Sequence, residues 1–139
     1  MTPEDFAVLH GAAFTDSRHW SASEFDALLA HSGTFACGDP RAAALVRVIV
    51  DEAELLTLAT APAHRRRGLA GAVLAEAESH ARAAGAATLF LEVAEDNTGA
   101  CALYAKSGYQ ETGRRPGYYH RADRQPVAAI LMSKDLRSA

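Results

Sequence analysis

The sequence predicts an α/β (α+β) fold in which helices flank a mixed, mostly antiparallel central sheet. Two short helical patterns precede three closely spaced strand-like runs, an order typical of an antiparallel meander. A strand, a glycine-rich loop, a long alanine-rich helix and a further strand then form a βαβ unit, and two more strands follow. A chain of 139 residues is long enough to build one core. We therefore assign residues 1–139 to a single domain.

The composition is that of an ordinary globular domain. Apolar residues make up 49% and charged residues 22%. No run approaches the roughly 18 apolar residues of a membrane span, and the acidic N-terminus lacks the order of a signal peptide. Cys37 and Cys101 are too few for a disulfide framework and form no metal motif. We expect a cytoplasmic protein with reduced thiols, no bound metal and no membrane partner.

The net charge of −3 conceals an uneven distribution of charge. Nine acids stand against three arginines up to residue 63, whereas six bases stand against two acids from Arg114 onward. A nucleic-acid-binding domain is usually basic overall or carries a long basic stripe, which this chain does not. We therefore expect no nucleic-acid partner, and the local basic patches suit a phosphorylated small ligand or the steering of a charged partner.

The first 50 residues predict two helices before the sheet begins. Thr2 caps a helix with proline at its first position, and either Ser21 or Ser23 caps a second helix after a polar loop at residues 15–19. Because the first helix starts so early, almost no chain is left for a preceding strand. We predict that the first strand is missing or very short and that the sheet starts at Thr34–Cys37.

Turns and glycines separate the later elements. The predicted strands, in chain order, are Ala43–Val50, Glu54–Ala61, Ala87–Val93, Tyr109–Thr112 and Val127–Lys134. The central helix ends at Gly85, and its predicted apolar face is formed by Val73, Leu74, Ala77 and Ala81. Asn97 caps a short helix that ends at Gly108. Residues 113–126 are predicted to form a long loop between the last two strands, and loops of that length usually serve a function.

An anion site is predicted where the Glu54–Ala61 strand leads into the central helix. The loop carries three arginines, Arg65–Arg67, followed by Gly68, Ala70 and Gly71. The N–H groups and dipole of a helix N-terminus favour an anion, and small residues let a phosphate approach the backbone. A dinucleotide-binding unit is an alternative, although the first glycine of its fingerprint is absent. A solvated charge run is the simplest alternative.

Four side chains farther along are candidates for chemistry. Alternation places Glu92 with Phe90 on one face of a strand, where a carboxylate is paired, hydrated or used. A salt bridge and a catalytic role are both open for it. Asn97, Cys101 and Tyr104 share one helix face, with capping, burial and core packing as their alternative roles. Nothing near Cys101 in the sequence would activate its thiol, so both cysteines are expected to be buried and structural.

Taken in order, these motifs resemble the GNAT N-acetyltransferases, and within them the bacterial ribosomal-protein-alanine N-acetyltransferases (RimI type). The resemblance covers nearly the whole chain and is weakest over the first 50 residues. It implies the GNAT acyl-CoA N-acyltransferase fold, in which the parallel central strands splay apart. The matching segments are Leu58–Pro62, Arg65–Ala70, Leu91–Val93, Asn97, Ala102–Tyr104, Gly108–Tyr109 and Arg115–Tyr119.

The resemblance implies acetyl-CoA as co-substrate, bound in the cleft between the splayed strands. The backbone of Leu58, Ala59 and Thr60 would hold the pantetheine arm and the acetyl carbonyl. Asn97 would contact the same arm. The loop that would cradle the pyrophosphate with its N–H groups comprises Arg66, Arg67, Gly68, Leu69, Ala70 and Gly71.

The resemblance also implies the roles of the catalytic residues and the kind of acceptor. Glu92 would be the general base that deprotonates an α-amine, and Tyr104 the general acid that protonates the CoA thiolate in a ternary complex. Tyr118 and Tyr119 match a tyrosine pair that contacts the peptide backbone. The implied acceptor is the N-terminal alanine of a small-subunit ribosomal protein, and we expect a monomeric enzyme. The alternatives are a small-molecule amine or a lysine as acceptor, or a non-catalytic acyl-CoA-binding module.

Overall fold

Six strands form one mixed sheet with helices on both faces. The computed structural model describes residues 1–15 and 19–137. Its strand order is β1-β2-β3-β4-β6-β5, and the pairs are antiparallel except β3 with β4. The elements are α1 (Pro3–Ala13), α2 (Ala22–Leu29), β1 (Thr34–Asp39), β2 (Ala42–Ile49), β3 (Glu52–Thr60), α3 (Leu69–Ala83), β4 (Thr88–Ala94), α4 (Thr98–Lys106), β5 (Gln110–Tyr119) and β6 (Val127–Asp135). The predicted sheet is confirmed, and in the described ranges no strand precedes β1.

Reciprocal capping boxes start the two N-terminal helices. The Thr2 hydroxyl accepts from the Asp5 N–H at 3.0 Å, and the Asp5 carboxylate accepts from the Thr2 N–H at 3.0 Å. Ser21, rather than Ser23, makes the same exchange with Glu24. Each box satisfies N–H groups that the first helical turn leaves without intrahelical partners. The predicted polar loop at residues 15–19 falls largely on positions 16–18, outside the described residues.

Two apolar layers enclose the sheet. On one face, α1 and α2 pack against β2 and β3 through a cluster made of Phe6, Leu9, Phe25, Ala43, Leu45 and Ala59. On the other face, α3 and α4 cover the larger core, with Val73, Leu74, Ala77 and Ala81 of α3 buried as predicted. The predicted alternation of β4 is also confirmed, since Leu89, Leu91 and Val93 face this core.

The two central parallel strands part beyond a short ladder. Residues 52–54 of β3 pair with residues 88–90 of β4. Farther along, β3 stays paired with β2 up to Thr60, and β4 stays paired with β6 up to Ala94. A bulge at Leu56 in β3 interrupts the β2–β3 register, and bulges bend the strand that carries them. The resulting gap between β3 and β4 is the splayed arrangement that the resemblance implied.

The predicted loop at residues 113–126 is wrong over its first half. Strand β5 runs on to Tyr119, and only residues 120–126 connect it to β6. Pro116 and Gly117 suggested a loop, but β5 tolerates them because its pairing with β6 shifts register between Arg115 and Tyr119. Strand β5 lies at the edge of the sheet, where a proline, which lacks a backbone N–H donor, is tolerated.

A partly buried ion pair joins α3 to β6. Glu78, on α3, accepts from the Lys134 ammonium at 2.9 Å and from the Tyr109 hydroxyl at 2.7 Å. Burial and the adjacent Glu78 carboxylate raise the pKa of Tyr109, so its hydroxyl stays protonated as a donor. Both cysteines are free thiols; Cys37 is buried as predicted, whereas Cys101 is only partly buried. Among the described residues, no helix is both long and apolar enough to cross a bilayer.

Candidate active site

The loop before α3 has the backbone shape of an anion cradle. After a single 3-10 turn at Pro62–His64, Arg66 and Gly68 both adopt left-handed φ values, +64° and +74°. Gly68 is the N-cap of α3, and among the described residues no side chain caps the helix there. The N–H groups of the first turn of α3 therefore remain available to an external anion, and the helix dipole adds to the attraction.

The three arginines of this loop have different neighbours. Arg65 donates to the Ala13 carbonyl at 3.2 Å and so ties the loop to the end of α1. Arg67 contacts the His64 ring nitrogen at 3.2 Å. All three side chains are exposed, so the loop presents positive charge around the N-terminus of α3.

Glu92 lies on the face of β4 that points away from α3, in the second half of the strand. Its carboxylate is partly buried and accepts a hydrogen bond of 3.2 Å from the Tyr119 hydroxyl. Burial, followed by the Glu92 charge and hydrogen bond, raises the pKa of Tyr119 to about 12. Tyr119 therefore stays protonated at neutral pH and serves as a permanent donor to the carboxylate.

A buried arginine positions Tyr119. The Arg121 guanidinium lies 5.7 Å from the centroid of the Tyr119 ring and is only 7% exposed. Arg121 makes a bidentate ion pair with Asp96, with both N–O distances at 2.8 Å, and Arg124 donates to the same carboxylate. The Arg121 hydrogen bond lowers the pKa of Asp96. The ion pair between Asp96 and Arg121, termed the Asp96–Arg121 clasp, joins the 120–126 connection to the turn that follows β4.

Tyr104 lies within the core at the C-terminal half of α4. It is 5% exposed, and its ring contacts that of Tyr109 edge-on at 5.8 Å between centroids. Burial, more than the nearby Cys101, raises the pKa of Tyr104. Asn97 caps α4 as predicted, accepting from the Ala100 N–H at 3.3 Å. The Cys101 thiol lies 3.7 Å from the Ala94 carbonyl.

The fold thus brings some candidates together and separates others. Glu92 and Tyr119 touch, and Tyr118 packs edge-on against Tyr119 with ring centroids 5.2 Å apart. Tyr104 lies apart from them, in the core on the α3 side of the sheet, where its ring contacts that of Tyr109. Asp96 and Arg121 were missed by sequence reasoning. Neither belongs to a periodic pattern, and only the fold reveals that they meet.

Comparison with known proteins assigns the family. Residues 4–109 match the Acetyltransferase (GNAT) family. The chain belongs to the GNAT acetyltransferase family. This assignment confirms the fold expected from the ordered motifs around Arg65–Ala70, Glu92 and Tyr104, and it removes the dinucleotide-binding alternative for the loop before α3.

Two kinds of relative are similar in sequence. The chain is 37% identical over 94 residues to the [ribosomal protein bS18]-alanine N-acetyltransferase of Escherichia coli K12, with 68% of this chain and 64% of the relative covered. It is 34% identical over 131 residues to an uncharacterized protein of Mycobacterium leprae, with 86% of this chain and 36% of the relative covered. The chain thus spans less than two thirds of the length of these curated relatives.

Solved structures resemble the chain over most of its length. The ribosomal-protein-S18-alanine N-acetyltransferase from Escherichia coli matches with a TM-score of 0.87 at 29% identity, covering 99% of this chain and 89% of that one. NAA60 of Arabidopsis thaliana in complex with acetyl-CoA matches with a TM-score of 0.78 at 15% identity, covering 97% and 95%. The second likeness shows the fold alone.

Proposed function

We propose that this GNAT enzyme transfers acetyl from acetyl-CoA to the α-amino group of a protein N-terminus, in particular the N-terminal alanine of a small-subunit ribosomal protein. The observation that carries the proposal is the Glu92 carboxylate, which lies on the strand beside the β3–β4 gap and holds a hydrogen bond from Tyr119. Similarity to ribosomal-protein-alanine N-acetyltransferases supports the choice of acceptor.

The gap and the loop before α3 fit a long phosphorylated thioester. Where β3 leaves β4, backbone groups of Leu58, Ala59 and Thr60 would pair with an extended pantetheine arm, as a strand edge pairs with an added strand. Asn97, at the start of α4, lies just beyond the end of β4 on the other side of the gap. A Cβ at Gly68 would meet no atom within 4 Å apart from its own neighbouring residues, so the backbone is open at Gly68, and a pyrophosphate would bind over Arg66–Gly71.

In this proposal, Glu92 and Tyr104 carry out the two proton transfers. Only the neutral form of an α-amine attacks a thioester, and Glu92 accepts the proton that the amine loses. Tyr119 donates to Glu92 throughout and holds its carboxylate in one orientation. Tyr104 keeps its proton at neutral pH and donates it to the departing sulfur. Acetyl-CoA supplies the activated acetyl group, and binding both substrates together removes the need for a covalent enzyme intermediate.

The acceptor would enter from the face of the sheet that carries Glu92. Tyr118 is 52% exposed beside Tyr119 and is available to contact the backbone of a peptide. The acidic first half of the chain would attract the basic N-terminal tail of a ribosomal protein, chiefly by raising the association rate. Charge steering of this kind weakens with added salt.

A panel of acceptors tests the proposal. Acetyl-CoA would be offered with peptides starting with alanine, serine or methionine, with N-terminally blocked lysine peptides and with polyamines, while CoA release is followed. We expect the alanine-starting peptide to have the highest kcat/KM. Preference for blocked lysine peptides or polyamines would overturn the proposed acceptor. If no acceptor led to CoA release, a non-catalytic acyl-CoA-binding module would be favoured.

Two substitutions test the catalytic assignment. Glu92→Gln and Tyr104→Phe should each lower kcat by roughly 100-fold or more, the usual contribution of a general base or acid. Glu54→Gln is the matched control, because Glu54 precedes the gap on the neighbouring strand β3 and is exposed to solvent. Unchanged turnover in Glu92→Gln would contradict its role as the base.

A further inference from the structure

Three metal-ligating side chains converge at the edge of the sheet, where α3 packs against β1. Cys37 lies on β1, while Glu76 and His80 lie one turn apart on α3. One ligand atom from each of them lies within 4.8 Å of the other two. The Glu76 carboxylate and the His80 Nε2 are 3.8 Å apart. No catalytic candidate belongs to this cluster.

Thiolate, imidazole and carboxylate are the donors that zinc takes in proteins. In a tetrahedral site with zinc–ligand bonds of about 2.0–2.3 Å, neighbouring ligand atoms lie roughly 3.5 Å apart. The Glu76–His80 separation is already close to that spacing. The distances from the Cys37 sulfur to its two partners exceed that spacing by at most about 1.3 Å, because the ligand atoms lie within 4.8 Å of one another.

The surroundings favour a fixed sulfur and two adjustable partners. Cys37 is 4% exposed, and its backbone is locked in the antiparallel ladder opposite Ala44. The side chains of Glu76 and His80 are 51% and 60% exposed, so they can rotate toward a cation that enters from solvent. The Phe35 ring lies 5.7 Å from the His80 ring and limits its movement on the strand side.

We propose that Cys37, Glu76 and His80 bind one zinc ion, with water as the fourth ligand. The ion would crosslink the edge strand β1 to α3, the helix whose N-terminus carries the anion cradle. The sequence alone contains no metal motif for this site, because the strand ligand and the helix ligands meet only after α3 packs on β1. The proposal rests on geometry alone and is independent of the acetyl-transfer reaction.

Isothermal titration calorimetry of the untagged protein with zinc alone tests the proposal. We expect saturable binding of one ion per chain. Cobalt(II) as a spectroscopic probe should give the charge-transfer absorption of a thiolate ligand. Cys37→Ala should abolish that absorption. Each of Cys37→Ala, Glu76→Gln and His80→Gln should weaken zinc binding by more than about 10-fold, since even the loss of a ligand's hydrogen-bonding partner costs 10- to 100-fold.

Matched controls separate this site from adventitious binding. Cys101→Ala removes the other thiol, and His31→Gln removes an exposed histidine outside the cluster; both variants should bind zinc as the parent does. Because Cys37 is buried, the thermal midpoint without metal is measured for every variant. Glu76→Gln and His80→Gln change exposed side chains and should stay folded. Binding that is undetectable in the parent, or equal in parent and His80→Gln, would overturn the proposal.

Discussion

The Tyr119 hydroxyl donates a hydrogen bond of 3.2 Å to the Glu92 carboxylate, although β6 lies between the strands that carry them. The contact exists because β5 extends to Tyr119, near the start of β6, so that the phenol reaches across that strand. The carboxylate at the centre of the proposed site is therefore oriented by a residue from the edge strand. The Asp96–Arg121 clasp holds that residue in turn.

Tyr119→Phe should lower kcat about 10-fold and should also lower the free energy of unfolding, because the hydrogen bond to Glu92 is lost. The substitution keeps the ring against Arg121 but removes a hydrogen bond to a charged group, which contributes about 1.5–3 kcal/mol. Steady-state kinetics with a saturating peptide, together with urea unfolding, measures both effects. A double-mutant cycle with Glu92→Gln should show strong coupling, because Tyr119 acts through that carboxylate. Additive losses would contradict the positioning role.

Asp96→Asn should destabilise the protein at neutral pH by about 2 kcal/mol, because it leaves the buried Arg121 charge without its bidentate partner. The folded-state pKa of Asp96 is lowered, so its contribution is present above the unfolded value of about 3.9 and is lost as pH falls through the folded pKa. The difference between the parent and Asp96→Asn should therefore shrink in strong acid.

Urea unfolding at neutral and acidic pH measures this difference. Asp123→Asn serves as the control, since Asp123 is an exposed acid in the same connection and its loss should leave stability nearly unchanged. Equal stability of Asp96→Asn and the parent at neutral pH would show that the clasp contributes nothing. A deficit that stays constant down to strongly acidic pH would show that the Asp96 charge is not its source.

Local chemistry allowed much of the fold to be predicted. Capping residues marked the starts of α1, α2 and α4, and alternation placed Leu89, Leu91 and Val93 of β4 in the core. These signals depend on neighbours within four residues, and sequence spacing reports them directly. The family motifs likewise follow chain order, so they could be recognised before any contact was known.

Contacts between distant segments could not be predicted. Pro116 and Gly117 suggested a loop, because nothing local reveals that a bulged edge strand accepts them. Arg121 fell within the predicted loop at residues 113–126, and nothing local indicates that the fold buries it against Asp96, 25 positions away. Glu78 likewise lies beside the predicted apolar face of α3, and its burial depends on Lys134 and Tyr109 arriving from other elements.

Gly68→Ala should raise the KM for acetyl-CoA about 10-fold. Its φ of +74° makes a side chain cost roughly 1–2 kcal/mol, and the added methyl group would project into the space proposed for the pyrophosphate. Gly85→Ala is the matched control, since Gly85 has a φ of +99° at the other end of α3. Both variants should lose stability, but only Gly68→Ala should change KM. An unchanged KM would place the pyrophosphate elsewhere.

Two tyrosines in mutual contact should respond in opposite ways to the loss of a hydroxyl. Tyr104→Phe should lower kcat by roughly 100-fold and change stability by less than about 1 kcal/mol, because its ring packing against Tyr109 is kept. Tyr109→Phe should lower stability by about 1.5–3 kcal/mol, the contribution of a hydrogen bond to a charged partner, and leave kcat nearly unchanged.

The dependence of the free energy of unfolding on pH in alkaline solution further distinguishes the role of Tyr104 from that of Tyr109. The folded-state pKa of Tyr109 is raised by burial and by Glu78, so its contribution is present below the unfolded value of about 10 and is lost as pH rises toward the folded value. Tyr109→Phe should therefore lose less stability above pH 10 than the parent does, as measured by urea unfolding. If Tyr104→Phe instead kept full turnover and lost stability, its hydroxyl would belong to the core and the proton for the departing sulfur would come from another group.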